Sequence, residues 1–334
     1  MAGKKAGNWL AGGYFGVLWS IKGDLEFLAN VIDIPRWSLK SGPCCLCRCN
    51  GDGELTWADF TPNAPCVATI WTPSSWQGWA NKSKNLLFTL PGVTILSVCL
   101  DYMHVKYLGL DQYIFGSTLS MLVHFVMTGP PLENLQRCWT FIQAYYRNHH
   151  TEVKYRYLNR LSMFVRKKKG PKLRGKACEV KSFGAVLLAL WQRYMKSSIQ
   201  IHQQIAMMLK LNCRMESLIN QHKDEVTFPD ASADEFRDSA FAMCALQQTI
   251  ANHFAEEGHN LFSTTSKNHM LLHIAMMARH INPRLTWCFT GEDMMHKCQV
   301  LIKACVHGVQ SPQACVKACE HYRLGLHLLL NKTI

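Results

Sequence analysis

Acidic residues are scarce in this chain. Its 334 residues contain 23 Asp and Glu against 36 Lys and Arg, and none of the acids falls within residues 1–23. Charged residues of both signs amount to only 18%, while hydrophobic residues reach 48%, which excludes disorder or a collagen-like chain for most of the length. Internal repeats and low-complexity tracts are absent. Residues 1–20 carry two lysines and then an apolar run, but no small-residue cleavage motif follows, so a secretory signal is not expected. The uncharged run from Gln112 to Leu132 contains His124 and Gly129-Pro130-Pro131 and predicts a buried helix rather than a membrane span. The 15 cysteines are odd in number and irregularly spaced, unlike a secreted disulfide framework. Reduced thiols, some of them metal ligands, and an intracellular location are the expectation.

The basic excess of +13 is concentrated. Residues 147–181 hold twelve Lys or Arg and two Glu, a net +10. Such a segment predicts an anionic partner. Its centre, Arg166, Lys167, Lys168 and Lys169 with Lys172 and Arg174, predicts a solvated loop that grips nucleic-acid phosphates. Interleaved Tyr145, Tyr146, Tyr155, Tyr157 and Phe164 can stack or pack, and the Arg166–Lys169 run also has the character of a nuclear localisation signal.

The expected fold class is α+β, mostly α. Tyr14–Ile21 and Val93–Leu100 have strand character, ending at Gly23-Asp24 and at Asp101. Helices are predicted over Leu25–Ile32, about Leu110–Met127, Leu132–Asn148, Ser182–His222, Ser232–Glu257, Lys267–His280 and Ser311–Leu330. Ser232-Ala233-Asp234-Glu235 has the pattern of a capping box, and Ser311-Pro312 that of a cap with a first-turn proline. Residues 35–84, rich in Cys, Trp, Pro and Gly, predict an irregular insertion. The chain divides on this reading into 1–129, 130–265 and 266–334.

Four groups of residues could carry chemistry. Asp24 and Asp101 both follow strand-like runs, where a carboxylate can reach a divalent cation or simply cap the next helix. Cys44 and Cys47 make one C-x-x-C knuckle within Cys44-Cys45-Leu46-Cys47-Arg48-Cys49, able to bite zinc, with Cys66, Cys99 or His104 to complete the set. His104 is also placed to pair with Asp101, three residues before it. His269 and His273 share one helix face at i, i+4, but no Glu stands beside the first His as in a zinc protease. Glu292 opens a helix, either as a third carboxylate or as a first-turn acid favoured by the helix dipole.

Taken in order, these motifs resemble the catalytic region of eukaryotic DDE-type DNA transposases of the CACTA and Plavaka/KDZ kind. The resemblance spans roughly Phe15 to Gly308 and rests on short motifs in a matching order. It implies a partial ribonuclease-H-like sheet with a cysteine-rich insertion (35–84), a large helical insertion, and a C-terminal helical region completing the core. Asp24 matches the second catalytic Asp, Cys44 and Cys47 the knuckle, and Glu292 the final acid. Asp101, Met103, His104, Leu108 and Gly109 match Asp-x-Met-His…Leu-Gly, and Lys267, His269 and His273 match Lys-x-His-x-x-x-His. Mg or Mn ions and DNA are the implied cofactor and partner, with zinc as a structural ion. The family's first catalytic Asp lies upstream of Gly-Asp, and residues 1–23 hold no acid. The expectation is therefore a transposase-derived, catalytically incomplete fragment, with Asp24, Asp101 and Glu292 as an alternative complete triad. A non-enzymatic, zinc-stabilised helical module binding nucleic acid or protein is the competing expectation.

Overall fold

A computed structural model of the chain describes residues 4–5, 8–9, 16, 18–79, 82–167, 169–306 and 311–331. It divides into two units, Met1–Trp287 and Cys288–Ile334. The helix bearing His269 belongs to the first unit. The protein is mostly helical, with 61% helix and 3% strand. No helix among the described residues is long and apolar enough to cross a membrane.

The sheet is far smaller than expected. β1 (Lys4–Lys5) pairs antiparallel with β2 (Asn8–Trp9), and β3 (Ile21–Lys22) pairs parallel with β4 (Val98–Cys99). Tyr14, Phe15 and Val17 of the first expected strand lie outside the described residues. The second expected strand is shortened by its own polar residues. Gly92 turns the chain at φ +81°, and Thr94 and Ser97 cap one another reciprocally, winding Ile95–Ser97 into a 3-10 turn. Only Val98 and Cys99 remain to pair.

α1 (Leu25–Asn30) starts where Asp24 accepts the Phe27 N–H at 2.6 Å. The cysteine-rich segment is irregular, as expected, with one short helix, α2 (Pro73–Gln77). Aromatic side chains hold it: Trp76 is buried against Phe88, ring centroids 4.7 Å apart, and Trp71 stacks on Trp79 at 4.9 Å.

The helical body begins with a continuous stretch built of wide turns over Met103–Leu110, α3 (Asp111–Met121), and wide turns again over Leu122–Val126. It is followed by α4 (Pro131–Asn148), α5 (Ala177–Tyr194), α6 (Gln200–Gln221), α7 (Asp230–Glu256), α8 (Ser266–Met277) and α9 (Pro283–Thr286). The single helix expected over Ser182–His222 is two. Its break is closed by Trp191 Nε1 donating to the His202 carbonyl (3.0 Å) and the Lys196 N–H donating to His202 Nδ1 (3.0 Å). The expected capping box at Ser232 does not form. Its side chains have tertiary partners instead: Ser232 Oγ meets His222 Nε2 at 2.8 Å, and Glu235 takes a bidentate pair from Arg214. The second unit is a pair of helices, α10 (Phe289–Cys305) and α11 (Ser311–Asn331).

A charge network lies inside the first unit. Lys106 is fully buried and its ammonium meets Asp111 Oδ2 (2.8 Å), Glu216 Oε1 (2.9 Å) and Asn212 Oδ1 (3.2 Å). Asn212 Nδ2 donates to Asp111 Oδ1, and Tyr107 donates to Glu216 Oε2. Burial pushes the Asp111 carboxyl up to about 6, against the lowering effect of Lys106.

The basic segment is anchored more firmly than its composition suggests. Leu158, Phe164 and Leu173 are fully buried, the Leu173 N–H donates to the Gln112 carbonyl (2.7 Å), and Lys172 and Arg174 N–H groups donate back to Phe164 and Met163. Gly116 on α3 makes this approach possible: a Cβ there would lie 2.6 Å from the Leu173 nitrogen and 2.8 Å from Lys172 Cα.

Two outcomes follow. Gly116→Ala forces backbone from backbone and is expected to cost about 1–3 kcal/mol in denaturant unfolding, with faster proteolysis in residues 160–176. Asp111, with its folded pKa raised, contributes stability that is present below pH 4 and lost as pH rises through about 6. Asp111→Asn is expected to flatten the fall in unfolding free energy across that window.

Candidate metal centre and its surroundings

The cysteine loop is closed at its base. Gly42 N–H donates to Asn50 Oδ1 (3.1 Å), Gly51 N–H donates to the Lys40 carbonyl (2.7 Å), and Gly42 takes φ +62°. Within the loop the Leu46 N–H donates to Cys44 Sγ at 3.3 Å, and Leu46 and Arg48 are tied to Trp71 and Thr69 through backbone nitrogens. Cys44, Cys47 and Cys49 all turn inward and are buried.

His269 meets them from the first turns of α8, 222 residues beyond Cys47. That helix is buried on nearly all sides, and both His269 and His273 are 2% exposed. The sulfurs of Cys44, Cys47 and Cys49 and a ring nitrogen of His269 lie within 4.8 Å of one another. Ligand atoms on a tetrahedral zinc with bonds of about 2.0–2.3 Å stand roughly 3.3–3.8 Å apart, so this set is compatible with one such ion. Cys47 Sγ is 3.1 Å from His269 Nε2, and His273 Nε2 is 2.9 Å from the same nitrogen. Cys66 Sγ lies 4.0 Å from His269 Nδ1 on the other side of the ring. An apolar cavity of about 220 Å³, lined in part by Leu46, Cys99 and His273, adjoins the cluster.

The electrostatics suit a cation. Burial acts to raise the Cys44 thiol, yet hydrogen bonds with Cys47 and Cys49 and the charge of His273 hold it well below the ordinary thiol range. Cys47 and Cys49 are pushed up, first by their hydrogen bonds to Cys44, and burial pushes up Cys45. Burial opposes charge on His269, but hydrogen bonds to Cys44, Cys49 and Cys66 raise it to about 12. The cluster therefore favours thiolate beside positive charge, which a divalent ion supplies.

The C-x-x-C pair is thus completed by Cys49 and His269, where the sequence offered Cys66, Cys99 or His104. His104 is a correction: its Nδ1 is bonded to Asp101 Oδ2, and the ligand atoms that converge are those of Cys44, Cys47, Cys49 and His269. The i, i+4 histidines carried the signal for the fourth ligand.

β3 and β4 pair Ile21 with Val98 and Lys22 with Cys99, and each strand is followed two residues later by an aspartate, Asp24 and Asp101. Asp24 is exposed and caps α1, whereas Asp101 is fully buried and accepts the Met103 N–H at 2.9 Å as well as the His104 bond. The His104 carbonyl accepts Lys267 Nζ at 2.8 Å. Lys267 passes over Gly109, where a Cβ would lie 2.8 Å from its Cδ, and over the Trp37 ring at 4.9 Å. Burial lowers its ammonium to about 8. Asp-x-Met-His…Leu-Gly and Lys-x-His thus interlock. Glu292 belongs to the second unit, exposed in the first turn of α10.

The basic residues separate into two groups. Arg166 turns onto the Gly170 carbonyl (2.8 and 2.5 Å) and over Tyr113 (5.4 Å), and Lys172 stands over the same ring at 5.1 Å. Lys167, Lys169 and Arg174 are exposed, and Lys168 lies outside the described residues. Reading the sequence missed the Lys106–Asp111–Asn212–Glu216 network. Its signal was a lysine inside the apolar stretch between Met103 and Leu110.

Comparison with family models, curated proteins and solved structures gives no significant match for this chain.

The purified protein is expected to hold one metal ion per chain by plasma mass spectrometry. Cys49→Ser and His269→Ala are expected to lose it, with a melting temperature lowered as by chelator, and His104→Ala to keep it.

Proposed function

We propose that the chain is a transposase-derived, zinc-stabilised nucleic-acid-binding protein that works by binding rather than as a self-sufficient nuclease. One observation carries the reading: motifs spread from Asp24 to His273 are linked in space within the first unit. Cys47 touches His269, Lys267 bonds the His104 carbonyl, His104 bonds Asp101, and the strands that precede Asp24 and Asp101 pair with each other. A set of thiols and an imidazole closed by four protein ligands leaves no open position, which is the arrangement of a structural zinc.

The resemblance supplies the ancestry. A ribonuclease-H-like core, a nuclear location and DNA as the partner belong to this proposal. Mg or Mn would be held by strand-end carboxylates such as Asp24 and Asp101 and would supply Lewis-acid chemistry for phosphodiester cleavage. Both strand-end carboxylates already have helix-start hydrogen bonds, which favours binding over chemistry.

Lys167, Lys169 and Arg174 supply the phosphate contacts, positioning the strand without reading sequence. The test is duplex DNA binding across a salt series, with Mn²⁺ nicking of plasmid measured in parallel. Charge reversal of all three is expected to weaken binding uniformly across sequences and to lower the salt slope by about 0.9 per contact removed. Unchanged affinity in that variant overturns the reading, and Asp24-dependent nicking replaces it with the catalytic one.

A further inference from the structure

We propose that the cleft between α4, α5 and α6 is a nucleobase subsite, taking an unpaired base with an exocyclic amino group from single-stranded nucleic acid. The proposal rests on the nucleic-acid-binding reading for how the strand is held, but the cleft has its own chemistry. It encloses about 450 Å³, within the range of small-ligand sites, and its lining includes Tyr145, His150, Ser182, Glu216, Ser217 and Asn220.

The floor is built and rigid. Glu216 Oε1 takes Lys106 Nζ (2.9 Å) and the Tyr102 hydroxyl (3.2 Å), while Oε2 takes the Tyr107 hydroxyl (2.8 Å). A carboxylate has about four acceptor positions, so Oε2 keeps one for the cleft. Asn212 beside it is held by Lys106 and Asp111. Gly184 leaves the floor flat above that amide: a Cβ there would stand 3.4 Å from Asn212 Oδ1.

The floor sets one ammonium against two carboxylates and is acidic. It repels phosphate and accepts N–H donors. Ser182, Ser217 and Asn220 add hydroxyl and amide groups at the mouth. Tyr145 forms a prepared aromatic wall, its ring stacked on His149 with centroids 4.1 Å apart and planes 13° from parallel. Base–aromatic stacking needs no particular base, whereas the acceptor at the floor discriminates by the amino group.

The rim adjoins the basic segment and carries a Lys181–Glu152 ion pair. His150 and Lys181 come from the two ends of the basic segment, and Lys181 is held by Glu152 (3.3 Å) over the Trp287 ring (5.5 Å). A strand held by the neighbouring basic segment would keep its phosphates outside and present a base inward. Duplex DNA, with its bases stacked and paired, could use the rim but not the cleft.

Ser217 is exposed on α6, so Ser217→Trp fills the cleft without entering the core, and Asn220→Leu removes a polar group from its mouth. Affinities of the full chain are measured for oligo(dC), oligo(dT) and duplex DNA, and cytidine alone is titrated by nuclear magnetic resonance. Oligo(dC) is expected to bind about tenfold tighter than oligo(dT), as one added charge-assisted hydrogen bond of ~1.4 kcal/mol gives. Ser217→Trp should remove that preference and cytidine binding while leaving duplex affinity unchanged, and Asn220→Leu should weaken both partially. Charge reversal at Lys167, Lys169 and Arg174 should weaken every oligonucleotide but not cytidine. Equal affinity for oligo(dC) and oligo(dT), or cytidine binding indifferent to Ser217→Trp, overturns the subsite. Cytidine binding that survives when all oligonucleotide binding is absent retains the subsite and overturns the basic-segment reading instead.

Discussion

Three thiols meeting one imidazole is the constraint on which the rest of the first unit hangs. The cysteine-rich segment has almost no helix or strand to order it, and fixing each residue costs roughly 1–2 kcal/mol in backbone entropy. Buried tryptophans offset part of that cost. The remainder falls to Cys44, Cys47 and Cys49 against His269, which tie the loop to a helix that is itself buried. The consequences propagate by short steps. With α8 fixed, Lys267 two residues before His269 reaches the His104 carbonyl. His104 holds Asp101, Asp101 follows β4 by two residues, and β4 pairs with β3, which leads into Asp24.

Charge in this protein has two separate assignments. The inward one is the Lys106 network, where an ammonium is retained in full burial because two carboxylates and an amide surround it. Removing one partner of such a group strands the others, at a cost of about 3–5 kcal/mol. The outward one is the basic segment, and only part of it faces solvent. Arg166 and Lys172 are stacked on Tyr113 and shape the loop that displays Lys167 and Lys169. A count of positive residues therefore overstates the surface available to phosphates.

Much of the helical architecture was legible in the sequence. α4 runs nearly where apolar periodicity places it, α11 nearly where Ser311-Pro312 opens it, and the knuckle at Cys44 and Cys47 follows from spacing alone. The fourth ligand was legible only in half. The i, i+4 spacing of His269 and His273 said that two rings share a face, but not that the cysteine loop packs there, because that contact is tertiary. The strand at Val93–Leu100 misled because its apolar composition concealed the Thr94–Ser97 caps. Ser232-x-x-Glu235 misled in the opposite sense: its side chains match a cap, but His222 and Arg214 bind them more specifically. The Lys106 network showed only as a lysine in an apolar stretch, since its partners Asp111 and Glu216 stand more than a hundred residues apart and meet only when α6 packs on the wide helical turns.

The strand-end aspartates differ in what they could yield to a cation. Asp24 is exposed and its cap on α1 is worth about 1 kcal/mol, little enough that a divalent ion could recruit its carboxylate. Asp101 is fully buried, takes a backbone N–H and the His104 ring, and belongs to the chain of contacts that ends at the thiol–imidazole cluster. Exchanging those bonds for an ion would loosen His104, and with it the carbonyl that holds Lys267. Chemistry and architecture thus compete for the same carboxylate. On the binding reading proposed above the competition is decided, and Asp101 serves as the link between the β3–β4 pair and the helix that bears His269.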